Sequence, residues 1–319
     1  MKVGFVCSHG GHLTEITYLL TNINYDDAFL ITYDHPRTRN LKIKKYLLPN
    51  FGENPLKLLK YLPFIAKILI KEKPDVIISN GAEIAIPLFY LAKILSIKTV
   101  FIECYTRVSQ PTITGKLVYP ISDGFLVLWE EMLPKYGKKA YYFGPFMKEK
   151  VMRIKPSKRL RLILTLTGTH FKGFDRLTKA IDDISRRLPQ YTFLIQKGSG
   201  TYEPRHSKYF YFTEYQRIKN LLKISRIAVT QGAISIVDAL EVGTPVVSFP
   251  RLKRHGEAIN DHQLEFSRKL ESMGLIRVAT DKRDLLELIV VSLEALNRGL
   301  TKSLEFNRRI ISIIKERWL

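Results

Sequence analysis

Short β-rich runs alternate with helix-like runs along almost the whole chain, and this alternation is the strongest constraint on its fold. Val3–Cys7, Ala28–Thr32 and Val76–Ser79 have strand-like composition, while Leu13–Leu20 and Ile84–Leu95 have helical patterns. Strands that alternate with helices form parallel sheets, because each helix carries the chain back across one face of the sheet. The sequence therefore predicts an α/β protein with helices on both faces of its sheets.

The alternation is interrupted once, at residues 144–158, where the segment GPFMKEKVMRIKPSK is polar, basic and contains two prolines. We interpret this segment as a linker, since 319 residues suffice for two domains. The predicted domains are residues 1–147 and 148–319. The chain is predicted to end in two helices, near Leu285–Leu296 and Lys302–Lys315. The last of them could pack back on the first domain.

A nucleotide-binding unit is predicted for residues 230–266, which read as a strand end, a glycine turn, a helix opening on Ser235, a second strand and a polar loop. The turn Gly232–Ser235 offers N–H groups to a diphosphate at a helix N-terminus. Asp238 lies one helical turn further on and can accept a hydrogen bond from a ribose hydroxyl, while Gln263 can bind a sugar. No Asp-x-Asp pair occurs in the sequence, so we expect a site without metal or cofactor.

Two further loops of the second half are candidates for the same site. Gly168 and Thr169 follow a strand and precede a helix, and we expect them to contact the diphosphate; an ordinary turn is the alternative. Lys197 ends the next strand and either offsets diphosphate charge or is solvated. Arg251, together with Lys253 and Arg254, either steers an anionic donor or is simply exposed.

The first strand runs into a Gly-Gly-His loop that predicts an acid–base site. Gly10 and Gly11 permit a tight turn, and a helix is predicted to start near Leu13. His12 then lies at the carboxyl end of the sheet, and the ordinary pKa of histidine suits it to remove a proton from a sugar hydroxyl. His12 as a helix cap is the alternative, and His9 competes for the role.

A second candidate base lies at another strand end. Glu103 can accept the proton itself, orient His12 or bind the acceptor sugar, and Arg107 can hold a diphosphate as a bidentate fork. The alternative is that Glu103 and Arg107 pair with each other. Asn80 and Gly81 also end a strand and lead into a helix, which places them at the same edge.

The net charge of +21 indicates an anionic partner. We expect no nucleic acid, because no helix-turn-helix, zinc-finger spacing or RNA-binding aromatic signature is found. Residues 56–71, LKLLKYLPFIAKILIK, read as a basic amphipathic helix kinked at Pro63. It either lies on an anionic membrane or packs in the core with its lysines solvated. No apolar run reaches the ~20 residues of a spanning helix. Cys7 and Cys104 are too few for a disulfide framework, which favours a reducing compartment.

Ordered motifs along both halves add a family resemblance that covers nearly the whole chain. The first half resembles the acceptor-side subunit of the eukaryotic enzyme that adds the second N-acetylglucosamine to dolichol-diphosphate-GlcNAc, through SHGGHLTE, KPDVIISNGAEIAIP, FIECYTRVSQPTITGKLVY and FLVLWEE. The second half resembles the catalytic partner subunit, through LTLTGTHFKGFDRL, FLIQKGSG, TQGAISIVDALEVGTPVV and NDHQLEF. Both halves are also similar to the bacterial transferase that completes lipid II.

The resemblance implies a GT-B fold, in which two doubly wound, Rossmann-like domains face a central cleft. It implies an inverting, metal-independent transfer of GlcNAc from UDP-GlcNAc to a polyprenyl- or dolichyl-diphosphate-linked GlcNAc, forming a β-linked disaccharide lipid. An exopolysaccharide hexosyltransferase acting on an undecaprenyl-diphosphate sugar is the alternative. A peripheral position on the cytoplasmic face of the membrane follows from a lipid acceptor.

Turn chemistry and resemblance together predict three sets of site residues. The catalytic candidates are His12 and Glu103. The predicted donor-binding residues of the second domain are Gly168, Thr169, Gln196, Gly232, Ala233, Ile234, Ser235, Asp238, His262 and Gln263. The predicted acceptor-binding residues of the first, membrane-associating domain are Gly10, Gly11, Asn80, Gly81 and Arg107.

Overall fold

The computed structural model of the chain describes residues 1–50, 55–153, 158–169, 172–296 and 300–318. The chain divides into two compact units, of which the first is discontinuous. The first unit comprises Met1–Phe146 and Phe306–Leu319, and the second comprises Met147–Glu305.

The first unit contains a seven-stranded parallel sheet in the order β3-β2-β1-β4-β5-β6-β7. Its strands are β1 (Lys2–Val6), β2 (Asp27–Tyr33), β3 (Lys44–Leu48), β4 (Val76–Ser79), β5 (Lys98–Ile102), β6 (Gly124–Val127) and β7 (Ala140–Tyr142). Phe5 of β1 pairs with Leu30 on one side and with Ile78 on the other. The central strands are apolar throughout because helices cover both faces of the sheet. These helices are α1 (Gly11–Leu20), α2 (Pro36–Arg39), α3 (Leu62–Glu72), α4 (Ala85–Ile94), α5 (Ile113–Val118) and α6 (Leu133–Tyr136), with 3₁₀ turns at Pro55–Tyr61 and Glu130–Met132.

The second unit contains a six-stranded parallel sheet in the order β11-β10-β9-β12-β13-β14. The strands of this sheet are β9 (Leu162–Leu166), β10 (Thr192–Gln196), β11 (Lys208–Phe210), β12 (Ile227–Thr230), β13 (Val246–Ser248) and β14 (Arg277–Val278). Two further strands, β8 (Met147–Arg153) and β15 (Leu300–Phe306), pair with each other in a separate two-stranded sheet. The helices of this unit are α7 (Asp175–Ser185), α8 (Tyr215–Ile224), α9 (Ser235–Glu241), α10 (His262–Ser272) and α11 (Lys282–Leu296), with a 3₁₀ turn at Lys253–His255.

Each sheet has one point at which the strand order reverses direction. In the first unit this point lies between β1 and β4, and in the second it lies between β9 and β12. The loops that leave two such neighbouring strands diverge to opposite faces and open a crevice at their carboxyl ends, where ligands bind in doubly wound folds. The predicted α/β class and the two doubly wound sheets are confirmed.

The predicted linker and the predicted last helix are both wrong in part. Residues of β8 fall within the segment taken as a linker, and β15 occupies the start of the helix predicted from Lys302. Lys148 and Lys150 contact Glu305 at 3.1 and 3.6 Å, and Lys302 contacts Glu149 at 3.0 Å. The charges that suggested a linker thus form cross-strand pairs between segments about 150 residues apart, which local composition does not report.

The chain ends in helix α12 (Arg309–Trp318), which packs in the first unit. A Cβ atom at Gly124 of β6 would lie 2.6 Å from the Trp318 ring, so the indole lies directly against the strand backbone. The Arg317 guanidinium stacks 4.1 Å above the ring of Tyr141. This packing explains why the end of the chain belongs with its beginning.

Residues 56–71 are not one kinked helix. A 3₁₀ turn ends at Tyr61 and α3 begins at Leu62, so Pro63 lies in the first turn of α3, where no intrahelical N–H bond is needed. One face of α3 is buried through Ile65, Ile68 and Leu69, and the lysines are exposed. Apolar side chains are exposed beside them, because Leu59, Phe64 and Ile70 keep 58%, 43% and 57% of their surface.

Candidate functional site

The crevice between β1 and β4 brings together three of the predicted residues of the first unit. Helix α1 begins at Gly11, two residues earlier than expected, so His12 lies inside its first turn. The Asn80 side-chain amide donates to the His12 carbonyl at 2.9 Å. Gly81 has φ +120°, and a Cβ there would lie 3.0 Å from His12 Cε1, so only glycine fits this position.

The imidazole of His12 is neutral at physiological pH. Burial, with a smaller contribution from the positive charge of Arg107, lowers the pKa of His12 to about 4. Within the described residues, Nδ1 of His12 is buried and has no hydrogen-bond partner. The ring is therefore in the protonation state that accepts a proton, with one nitrogen uncommitted.

Glu103, the other predicted base, is enclosed by donors. Its carboxylate accepts from the Thr112 hydroxyl at 3.0 Å, from the Cys104 amide at 2.9 Å and from the Tyr136 hydroxyl. Burial nevertheless raises the pKa of Glu103. Thr112 is also the N-cap of α5, so the carboxylate fixes the start of that helix. These contacts favour a structural role, and among the described residues Glu103 forms no ion pair with Arg107.

Glu15 was missed by the sequence interpretation although it lies in the SHGGHLTE motif. It is 1% exposed, and its carboxylate accepts from the Asn80 amide at 3.1 Å, from the Tyr105 N–H at 3.4 Å and from the Cys104 thiol at 3.7 Å. Burial raises the pKa of Glu15 to about 8. The i, i+3 spacing from His12 places both side chains on one face of α1 and was the available signal.

His12, Glu15 and Cys104 are the one group in the described ranges whose ligand atoms could surround a cation, since these atoms lie within 4.8 Å of one another. The group suits a metal poorly, because metal ligands must be deprotonated. The pKa of Glu15 is about 8, and burial holds the pKa of the Cys104 thiol well above its usual value. A cation would have to displace two protons from a buried site.

The crevice of the second unit is shaped by a glycine and a glutamine. Gly168 follows β9 with φ +84°, and a Cβ there would lie 1.9 Å from Nε2 of Gln231, which follows β12. The two strands that flank the reversal point are thus in direct contact through these residues. Thr169, next in the chain, is exposed and free to meet a ligand.

The turn after β12 carries the predicted residues Gly232, Ala233, Ile234 and Ser235. A Cβ at Gly232 would lie 2.3 Å from the Gln263 carbonyl, so glycine lets the start of α9 approach α10. The hydroxyl of Ser235 is buried and has no partner within the described part of the chain. Gln263 is 8% exposed, and its Oε1 accepts from the Arg251 N–H at 3.1 Å. These residues converge on one edge of the sheet.

Asp238 is buried on α9 and is held by a residue that the sequence interpretation did not include. Its Oδ1 accepts from the Tyr215 hydroxyl at 2.5 Å, and Lys219 lies 4.0 Å away. Tyr215 begins α8, 23 positions earlier in the chain, so no local pattern connects it with Asp238. The carboxylate is oriented before any ligand arrives.

The remaining predicted donor residues have mixed surroundings. Gln196 ends β10, and its carbonyl accepts from the Thr167 hydroxyl at 2.7 Å, which links it to the loop of Gly168. His262 Nδ1 lies 2.5 Å from Asn260 Oδ1. Lys197 is 1% exposed and pairs with Glu203 at 2.5 Å, so its ammonium group is not solvated; its contact with a diphosphate stays a prediction. Asp261 does not cap α10, because its carboxylate accepts from the Lys253 N–H instead.

Arg251 is buried, whereas Lys253 and Arg254 are exposed. Its guanidinium donates to Gln231 Oε1 at 3.0 Å, to the Gly173 carbonyl at 2.8 Å and to the Thr167 carbonyl at 3.2 Å. From the sequence, Arg251 either steers an anionic donor or is simply exposed. Its burial in the structure excludes simple exposure.

Solved structures with the same fold span the whole chain. The chain superposes on Acinetobacter baumannii MurG with a TM-score of 0.60 at 15% identity, covering 99% of this chain and 95% of that one. It superposes on the Methanocaldococcus jannaschii UDP-GlcNAc 2-epimerase with a TM-score of 0.67 at 17% identity, covering 99% and 100%. The fold is therefore of the GT-B class, as predicted, and this fold serves both transferases and epimerases.

Two family models match consecutive parts of the chain. Residues 51–146 match the family described as oligosaccharide biosynthesis protein Alg14 like, and residues 162–314 match the glycosyltransferase family 28 C-terminal domain. Consecutive parts of the chain are thus similar to Alg14 and to the C-terminal domain of family 28 glycosyltransferases, which confirms the predicted resemblance.

Individual proteins of two kinds, ALG14 subunits and bacterial N-acetylglucosamine transferases, are also similar to parts of the chain. The Candida albicans UDP-N-acetylglucosamine transferase subunit ALG14 is 36% identical over 85 residues, which are 25% of this chain and 39% of that protein. A Staphylococcus aureus UDP-N-acetylglucosamine–N-acetylmuramyl-(pentapeptide) pyrophosphoryl-undecaprenol N-acetylglucosamine transferase is 24% identical over 225 residues. That match covers 66% of this chain and 62% of the relative, so the chain spans less than two thirds of either protein.

Proposed function

We propose that the chain transfers N-acetylglucosamine from UDP-GlcNAc to a GlcNAc carried on a lipid diphosphate, with inversion and without a metal ion. The observation that carries the proposal is that predicted residues of both halves lie at the reversal points of their sheets, β1/β4 and β9/β12. The order of the matched families, Alg14-like first and family 28 second, agrees with an acceptor-binding first unit and a donor-binding second unit.

In the second unit, the donor's diphosphate sits against the turn Gly232–Ser235, where N–H groups and the unpartnered Ser235 hydroxyl meet it. Gly168 and Thr169 approach it from the neighbouring loop. Asp238, oriented by Tyr215, accepts from the ribose, and Gln263 binds the hexose. Fixed dipoles of this kind stabilise the charge that develops on the departing UDP.

In the first unit, His12 removes the proton from the acceptor hydroxyl. The hydroxyl oxygen forms a bond to the anomeric carbon as the bond from that carbon to the UDP oxygen breaks, and one displacement inverts the α-linked donor to a β product. Glu103 supports the site by fixing α5. The Arg107 guanidinium, half-buried near His12, is suited to the acceptor's diphosphate.

The lipid part of the acceptor suits the surface around α3. A groove of about 400 Å³ separates the 3₁₀ turn and α3 from α4, lined by residues such as Leu59, Leu62, Ile86 and Ile94. Exposed lysines border it, which favours a peripheral position on an anionic membrane, on its cytoplasmic face. Within the described residues no helix is long and apolar enough to span a bilayer. Cosedimentation with vesicles that contain or lack anionic lipid tests this part.

The activity is tested with labelled UDP-GlcNAc and lipid-diphosphate-GlcNAc, with and without a chelator. We expect a labelled disaccharide lipid in both cases, and loss of all product with the chelator contradicts a metal-free site. His12→Ala should lower kcat by about 10²–10⁴-fold while UDP affinity stays unchanged. A panel of UDP-GlcNAc, UDP-glucose and UDP-galactose tests the alternative, an exopolysaccharide hexosyltransferase acting on an undecaprenyl-diphosphate sugar.

A further inference from the structure

Arg251 is a buried cation that forms no salt bridge with the described residues. It is 2% exposed, and its three side-chain hydrogen bonds end on neutral oxygens, of Gln231, Gly173 and Thr167. Glu257 attracts the guanidinium at longer range, but its carboxylate pairs with Arg176 at 2.8 Å and, among the described residues, forms no salt bridge with Arg251. A buried charge is costly unless something of opposite sign compensates it.

Each contact of Arg251 reaches a different segment of the proposed donor site. Thr167 precedes Gly168, and Gln231 precedes the turn at Gly232. The backbone N–H of Arg251 donates to Gln263, the residue proposed to bind the hexose. Arg251 thus contacts all three segments, two through its guanidinium and the third through its backbone N–H.

Arg159 is a second buried arginine of the same unit, and the surroundings of its guanidinium balance its positive charge. Arg159 donates to the carbonyls of Leu222, Val242 and Gly243, which belong to the C-terminal ends of α8 and α9. Helix C-termini carry partial negative charge, so they balance this cation. The Arg251 guanidinium donates instead to the Gln231 side chain and to two loop carbonyls, and none of these partners belongs to the C-terminal end of a helix.

We propose that Arg251 positions the donor's diphosphate, both by holding its three binding segments together and by supplying a fixed positive charge. The ligand class is a nucleoside diphosphate, and the inference rests on the proposed donor site. A divalent cation commonly balances the diphosphate charge in sugar transferases, and here a buried guanidinium provides that charge.

The test compares the affinities of the wild-type protein and Arg251→Gln for uridine, UMP and UDP by calorimetry. At a separation of ~6 Å and an effective dielectric constant of ~20, loss of the charge should weaken UDP binding by about 100-fold or more. UMP should lose less than UDP because it lacks the second phosphate, and uridine should lose about 2-fold or less because it carries no charge. Arg159→Gln is the matched control, and it should change all three affinities by the same factor.

An equal loss for all three ligands in Arg251→Gln would overturn the proposal, since that is the effect of disrupted loops alone. Should Arg251→Gln not fold, Arg251→Lys decides. Burial lowers the pKa of a lysine, so raising the pH from 7 to 9 should reduce its preference for UDP over uridine at least about 5-fold; burial lowers the pKa of Arg251 to about 10, so the wild-type preference should stay nearly unchanged over this range. If the preference of Arg251→Lys for UDP over uridine does not change with pH, the proposed contribution of a positive charge at this position is refuted. Failure of the wild-type protein to bind UDP refutes the proposed function instead.

Discussion

Glu15→Gln should make the first unit more stable at alkaline pH than the wild-type protein. Burial raises the pKa of Glu15 from its ordinary value of 4.5 to about 8. In the unfolded chain the carboxyl group ionises above pH 4.5, whereas in the folded chain it keeps its proton until about pH 8. Its contribution to stability is therefore fully present below pH 4.5 and is lost as the pH rises to about 8.

The size of this loss follows from the shift in pKa. Each unit of difference is worth about 1.4 kcal/mol, so between pH 5 and pH 8 the wild-type protein loses about 3 kcal/mol through this one group. Glutamine has the same shape, keeps an oxygen to accept from Asn80 and Tyr105, and does not ionise. The free energy of unfolding of Glu15→Gln, relative to wild type, should rise by about 3 kcal/mol over this range.

Tryptophan fluorescence during urea titration is the appropriate assay, because both tryptophans of the chain lie in the first unit. Trp129 stacks on Tyr105 with ring centroids 5.2 Å apart, so it reports directly on the surroundings of Glu15. Titrations at several pH values between 5 and 8 give the difference between variant and wild type at each pH. A difference that stays constant with pH would refute the buried, protonated state of Glu15.

Glu72→Gln is the matched control, because the pKa of Glu72 is shifted in the direction opposite to that of Glu15. Burial by itself would raise the pKa of Glu72, but hydrogen bonds from Lys2, Lys44 and Tyr46 outweigh it and lower the pKa to about 2. The stability that this group provides is present above pH 4.5 and is lost as the pH falls toward 2. Glu72→Gln should therefore be destabilised by a nearly constant amount between pH 5 and 8.

Two substitutions in the second unit test the donor crevice. Gly168→Ala forces a side chain to a positive φ and into Gln231, so it should cost about 1–3 kcal/mol of stability in thermal unfolding and weaken UDP binding; an unchanged melting temperature would contradict this close packing. Tyr215→Phe removes the hydroxyl that orients Asp238 and should weaken UDP binding about 10-fold in calorimetry; an unchanged affinity would mean that Asp238 does not contact the nucleotide.

Local signals sufficed for most strands of the two large sheets, for many of the helices between them and for the loops at their carboxyl ends. The glycines after β4 and β9 were singled out as ligand-binding positions, which stays a prediction; the structure shows that Gly81 and Gly168 both have positive φ and lie against side chains. Because parallel strands end at the same edge of a sheet, residues that follow different strands could be expected to meet.

The boundaries between segments needed contacts that no window of sequence contains. The β8–β15 pair joins residues about 150 positions apart, and its charged side chains resembled a linker because their partners lay elsewhere in the chain. The same holds for α12, whose Trp318 packs against Gly124.

The sequence by itself determined the kind of fold and the position of the predicted His12, Gly168 and Gly232 at strand ends, since strand, turn and helix preferences act between near neighbours. The tertiary structure decided what the charged groups do. Glu15 receives the Tyr105 N–H from 90 positions away, and Arg251 reaches Thr167 across 84. Burial and hydrogen-bond partners decide whether the Glu15 carboxyl group keeps its proton and whether the Arg251 guanidinium forms a salt bridge. Burial and these partners arise only when distant segments of the chain pack together.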